Sequence, residues 1–101
     1  GLLLDTEEGT AIRGGEALPL TATEVRLLAF LMERADRLAS YSQLAEALHG
    51  SEGAGWEDLD ARQALSTHMW RLRRKLGQDA GGNPYIVNVR GRGYKFVSVP
   101  D

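Results

Sequence analysis

Apolar residues recur with two different periods along this chain. Over the first twenty residues they come in short bursts: Leu2 to Leu4, Thr10 to Arg13, and Ala17 to Leu20. Asp5-Thr6-Glu7-Glu8-Gly9 separates the first pair and Gly14-Gly15 the second. Glycines supply the positive φ that tight hairpin turns need, so this stretch predicts a small antiparallel sheet. From Thr21 the period becomes helical. Thr21-Ala22-Thr23-Glu24 has the form of a capping box, with Thr21 accepting from the Glu24 amide and Glu24 reaching back. Val25, Leu28 and Met32 follow, flanked by Leu27 and Leu31, and predict a core-facing stripe on a helix ending near Arg34 or Ala35. Ser40-Tyr41-Ser42-Gln43 is a second capping box, with Leu44, Ala47 and Leu48 behind it and Gly50 as the stop.

Ser51 to Leu59 is rich in glycine and acid around Trp56 and reads as a loop. A third helix is expected to start near Asp60, whose carboxylate suits the free amides of a first turn, and to end at Gly77. Leu65, Met69, Leu72 and Leu76 recur at intervals of 4, 3 and 4, which marks one buried stripe. Gln63, Ser66, Thr67, Trp70, Arg71 and Arg74 fall mostly on the other side, and Arg73 and Lys75 flank the stripe. After a turn-rich Asp79 to Pro84, the β-rich Tyr85 to Arg90, a Gly91-Arg92-Gly93 turn and Tyr94 to Val99 predict a hairpin. The expected fold is α+β, ordered as three strands, three helices and two strands. Residues 1–20 form an N-terminal antiparallel sheet, 21–77 a three-helix core and 85–99 the hairpin.

Length allows one domain, residues 1–101, around one core. The longest apolar run, Leu27 to Met32, is far short of the roughly 20 residues of a membrane-spanning helix, and no secretory signal pattern is present. The absence of cysteine excludes disulfides, thiolate zinc sites and thiol catalysis, and fits a cytoplasmic location. His49 and His68 stand nineteen positions apart and suggest no metal site. No cofactor is expected.

A formal net charge of −2 argues, taken alone, against nucleic acid. The distribution reverses that argument. Residues 1–60 hold twelve acidic and four basic side chains, whereas residues 61–101 hold eight basic and two acidic ones. Such asymmetry points to a polyanionic partner, the plainer alternative being a solvated helix face. A helix, a loop, a helix with a polar basic face and a hairpin with arginines at its tip make a winged helix-turn-helix. A helix fits the major groove, where arginine's planar fork matches guanine's two acceptors or a phosphate. A hairpin tip carrying Arg90 and Arg92 suits the narrow, electronegative minor groove. Ser66 and Thr67 hydroxyls and helix amides suit phosphates.

The chain resembles the C-terminal effector domain of bacterial two-component response regulators of the OmpR/PhoB family. The resemblance covers essentially its whole length. It is carried by Leu20-Thr21-Ala22-Thr23-Glu24-Val25-Arg26-Leu27-Leu28, by Ser40-Tyr41-Ser42-Gln43-Leu44 and by Thr67-His68-Met69-Trp70-Arg71-Leu72-Arg73-Arg74-Lys75-Leu76. Its most specific string is Val89-Arg90-Gly91-Arg92-Gly93-Tyr94-Lys95-Phe96. The resemblance implies sequence-specific binding to double-stranded promoter DNA, as a dimer on direct repeats although a monomer in isolation, and contact with RNA polymerase. It also implies an N-terminal receiver domain driven by a sensor kinase, with Gly1 then lying inside a longer chain. Arg71 is implied to contact bases in the major groove, with Thr67, Ser66, Gln63 and Trp70 as further candidates. His68, Arg73, Arg74 and Tyr94 are implied phosphate partners, although Tyr94 also reads as packing the wing. Arg90, Arg92 and Asn88 belong to the minor-groove wing. Trp56, Glu57 and Asp58 fall in the loop that touches polymerase in the family. Two features depart from the family pattern. Trp70 stands where a basic residue is common, leaving base preference, packing and dimer contact open, and the loop before the third helix looks longer, acidic and Gly-rich.

Two other classes compete. A winged helix can serve as a protein-interaction module whose third helix binds an acidic partner, and the same domain occurs in transcription factors without a receiver. An enzyme would need a nucleophile with a base, or paired carboxylates in a pocket. The cluster Glu57, Asp58 and Asp60 has no histidine or metal partner nearby, so no enzymatic activity is expected.

Overall fold

The computed structural model of the chain describes residues 2–49 and 59–98. Trp56, Glu57, Asp58 and the expected helix stop at Gly50 lie outside the described residues. The N-terminal strands are β1 (Leu2–Asp5), β2 (Thr10–Arg13) and β3 (Glu16–Pro19), which form an antiparallel sheet in the order β1-β2-β3. Pairing of Leu4 with Ala11, and of Ala11 with Leu18, puts these side chains on the inner face. The alternate row of Leu3, Ile12 and Ala17 lies on the outer face, where Leu3 is exposed. The Asp5 carboxylate accepts from the Glu7 and Glu8 amides and shapes the first turn.

Helix α1 (Ala22–Glu33) starts at the expected capping box. Glu24 N–H donates to Thr21 Oγ1 at 3.1 Å, and Thr21 N–H to Glu24 Oε1 at 2.8 Å. Its buried stripe is rotated from the expected one. Leu27, Leu28 and Leu31 are fully buried, whereas Val25 and Met32 are only half-buried at its edges. Two later helices pack against α1, and Glu24 faces the second of them.

A strand that sequence reasoning missed, β4 (Leu38–Ser40), lies between α1 and α2 (Tyr41–His49). Ser40 closes β4 and at the same time caps α2. Its hydroxyl accepts from the Gln43 amide, and Gln43 Oε1 accepts from the Ser40 amide. Leu44, Ala45 and Leu48 are the buried side chains of α2, with Ala45 replacing the expected Ala47, which is half-buried. Helix α3 (Leu59–Leu76) has Asp60 among its first described residues, near the expected start. Leu65, Met69, Leu72 and Leu76 are buried as their spacing required.

The C-terminal strands β5 (Ile86–Val89) and β6 (Gly93–Phe96) pair with β4 in the order β4-β6-β5. The expected two-stranded hairpin is therefore a three-stranded sheet. Its turn is Arg90-Gly91-Arg92, with Gly91 at φ 77°, and Gly93 is already in the strand. Gly93 pairs with both Ser40 and Val89, and a Cβ there would run into the Ala39 carbonyl. Its glycine thus serves close strand approach, not turn geometry. Leu28, Leu44, Met69, Ile86 and Phe96 meet in one core cluster with inner-face residues of the first sheet packed against it. Each such large side chain contributes about 1.5–3 kcal/mol relative to leaving it in water.

Candidate nucleic-acid interface

The amphipathic spacing of α3 that buries one stripe leaves the opposite face in solvent. Gln63, Ser66, Thr67, Trp70, Arg71, Arg73 and Arg74 are exposed, and His68 is half-buried at the side. Among the described residues, no ion pair or hydrogen bond engages the Arg71 guanidinium. Arg74 lies over the indole of Trp70, its guanidinium carbon 4.9 Å from the ring centroid. Trp70 is 57% exposed, so it packs on a neighbouring side chain without entering the core.

Lys75 behaves differently from Arg71, Arg73 and Arg74. Its Nζ sits 2.6 Å from Glu24 Oε1, and the Glu24 side chain is only 1% exposed. Burial opposes ionisation of Glu24, but the Lys75 ammonium and the amide and hydroxyl of Thr21 outweigh it and hold the carboxyl below its ordinary range. One carboxylate thus caps α1 and anchors α3. At the end of α3, the Arg13 guanidinium donates to the Leu76 carbonyl, while Gly77 (φ 65°) turns the chain away. A cation at this end also complements the helix dipole. Neither anchor was legible in the sequence, because each joins residues more than fifty positions apart.

The second sheet carries the arginine turn, which is tied to the start of α2. Arg90 and Arg92 are exposed. The Tyr41 amide, at the start of α2, donates to the Arg92 carbonyl at 3.2 Å. Asn88 Nδ2 donates to the Gly93 carbonyl at 3.1 Å and to the Tyr41 hydroxyl at 3.3 Å, so its amide is engaged in fixing the hairpin. Tyr94 is buried and meets Tyr41 edge to face, with centroids 5.9 Å apart. Burial foremost, and the neighbouring Tyr41 hydroxyl, push its ionisation up, with Arg73 pulling the other way. It therefore stays a neutral hydrogen-bond donor at physiological pH, and its ring packs the wing.

Between the C-terminal half of α3 and the start of β5 runs a groove of about 610 Å³, bordered by Trp70, Arg73 and Arg74 on the helix and by Gln78, Pro84 and Ile86 opposite. Among the described residues no three His, Cys, Asp or Glu side chains stand together as a metal site. No helix among them is long and apolar enough to cross a membrane.

Comparisons with known proteins agree with this geometry. The family model described as transcriptional regulatory protein, C terminal, matches residues 15–96. The transcriptional regulatory protein YvrH of Bacillus subtilis is 32% identical over 90 residues, covering 89% of this chain and 36% of that protein. CpxR of Escherichia coli is 32% identical over 97 residues, covering 96% of this chain and 40% of that protein. The chain therefore spans well under half the length of these relatives. The DNA-binding domain of E. coli CpxR superposes with a TM-score of 0.80 at 32% identity, covering 98% of this chain and 92% of that one. The RstA DNA-binding domain of Klebsiella pneumoniae, solved in complex with the RstA box, gives 0.77 at 28% identity, covering 95% and 90%. With its winged-helix topology and a family match over four fifths of its length, the chain belongs to the C-terminal domains of transcriptional regulatory proteins, the non-catalytic winged-helix type of OmpR/PhoB response regulators.

Proposed function

We infer that this chain binds duplex DNA in a sequence-specific way and is the output domain of a response regulator of transcription. The observation that carries this is that the Arg71 face of α3 and the Arg90-Gly91-Arg92 turn are both exposed and are carried by elements packed on one core. In this reading α3 enters the major groove. Arg71 reads base edges there, with Thr67, Ser66 and Gln63 beside it. His68, Arg73, Arg74 and the Tyr94 hydroxyl meet phosphates, and Arg90 and Arg92 enter the minor groove while Asn88 holds the hairpin. Residues 1–101 act as one domain. Within the full regulator, a receiver phosphorylated through a sensor kinase brings two copies onto neighbouring half-sites, where the second binds at raised effective concentration. RNA polymerase is the further partner, and the cytoplasm the place of action.

Selection of bound duplexes from a randomised pool, followed by affinity measurement across salt concentrations, tests this. The expected result is a recurrent half-site and a log-log salt slope of roughly −0.9 per phosphate neutralised. Arg71→Ala is expected to cost about 1–3 kcal/mol on the selected site and relax base preference at one position. Arg73→Ala is expected to weaken all duplexes and flatten the slope by about one. Absence of DNA affinity even at low salt would instead favour a protein-interaction module.

A further inference from the structure

Trp70 and Arg74 stand one helical turn apart on the exposed face of α3, and they form one unit. The ring quadrupole attracts the guanidinium laid over it, an arrangement in which tryptophan is the strongest partner. The N–H donors of arginine lie in the plane of the guanidinium. Stacking therefore occupies a face of the ion and leaves donors at its edge for an anion. A free surface arginine must give up rotamer freedom when a ligand takes it. Arg74 has surrendered part of that freedom beforehand. The indole itself offers a single donor and no acceptor, and so has no bidentate match to a base edge.

We propose that Trp70 is a positioning residue, holding the Arg74 guanidinium so that it meets a DNA phosphate, and that it does not itself select a base. The proposal rests on the DNA-binding reading above and adds a division of labour within α3. Arg71 reads sequence from a guanidinium with no protein partner among the described residues, whereas Arg74 holds the backbone from a pre-set one.

The test is a double-mutant cycle on one duplex recovered from a randomised pool, with affinity measured across salt. Arg74→Ala is expected to reduce the magnitude of the log-log slope by about 0.9. Trp70→Ala is expected to weaken binding about two- to fivefold, the range of an exposed cation–π contact, and to have no effect once Arg74 is gone. Trp70→Phe retains most of the affinity. Trp70→Leu keeps apolar bulk without the ring and behaves like Trp70→Ala, so the conclusion does not depend on one variant folding well. Duplexes selected by Trp70→Ala are expected to match those of the unaltered chain. Equal losses with and without Arg74, or a changed base preference in Trp70→Ala, would overturn the proposal while leaving the DNA-binding reading intact. Failure of the unaltered chain to bind any duplex at low salt would overturn both.

Discussion

The two sheets are both three-stranded and antiparallel, and are built almost wholly from four-residue strands, but they are held in different ways. The first, β1-β2-β3, turns through Gly14 and Gly15, where an added Cβ would meet nothing within 4 Å, and it shows an outer face to solvent. Among the described residues, its polar link to α3 is Arg13 on the Leu76 carbonyl. The second, β4-β6-β5, has a middle strand buried at three of four positions and pressed against β4 at Gly93. The difference teaches that the first sheet braces α3 from behind and tolerates change. The second sets where the arginine turn stands and tolerates little.

The sharpest way to break this contrast is to add one methyl group to each sheet. Gly93→Ala drives a Cβ into the Ala39 carbonyl and is expected to cost about 3 kcal/mol or more, read from chemical denaturation. Of intermediate size is the tie between α1 and α3. Lys75→Met leaves the buried Glu24 carboxylate without its cation, at a cost of about 1–2 kcal/mol, since Lys75 is itself partly solvated and Thr21 still bonds the carboxylate. Because Glu24 ionises more readily folded than unfolded, its contribution is complete above the unfolded value near 4.5 and is lost as pH falls through the lower folded value. Melting temperatures taken from pH 6 downward are therefore expected to fall more steeply for the unaltered chain than for Lys75→Met.

Arg13→Ala removes the cation from the α3 terminus and is expected to cost about 1 kcal/mol, with amide exchange accelerating in the last turn of α3 first. Gly15→Ala closes the series. Its φ of 82° strains an alanine, but nothing obstructs the methyl, so the loss is expected near or below about 1 kcal/mol. A Gly15→Ala penalty equal to that of Gly93→Ala would erase the distinction between the sheets.

Local signals were legible in the sequence because they span a few residues. Both capping boxes, the α3 stripe and the strand-to-helix change of period appear where their spacing put them. The strand β4 was not legible. Leu38-Ala39-Ser40 has three residues and no alternation of its own, and it is a strand because β6 supplies its partner more than fifty residues later. The Glu24–Lys75 tie was not legible either, since its partners stand fifty-one positions apart. Arg71 and the Arg90-Gly91-Arg92 turn could be singled out as candidates from sequence. The fates of Lys75, Asn88 and Trp70 could not, because each is decided by the side chain it meets.

The bonds from Tyr41 to the Arg92 carbonyl and from Asn88 to the Tyr41 hydroxyl tie the hairpin tip to the first turn of α2. Helix α2 in turn packs on α3, so for a domain that reads DNA as proposed those bonds make it a ruler. The distance between what the helix touches and what the hairpin touches is set before any duplex arrives. One base pair inserted between those two positions would shift one contact by about 3.4 Å along the duplex axis, and the protein has little slack to follow it. Spacing within the half-site would then be discriminated as strictly as the bases themselves.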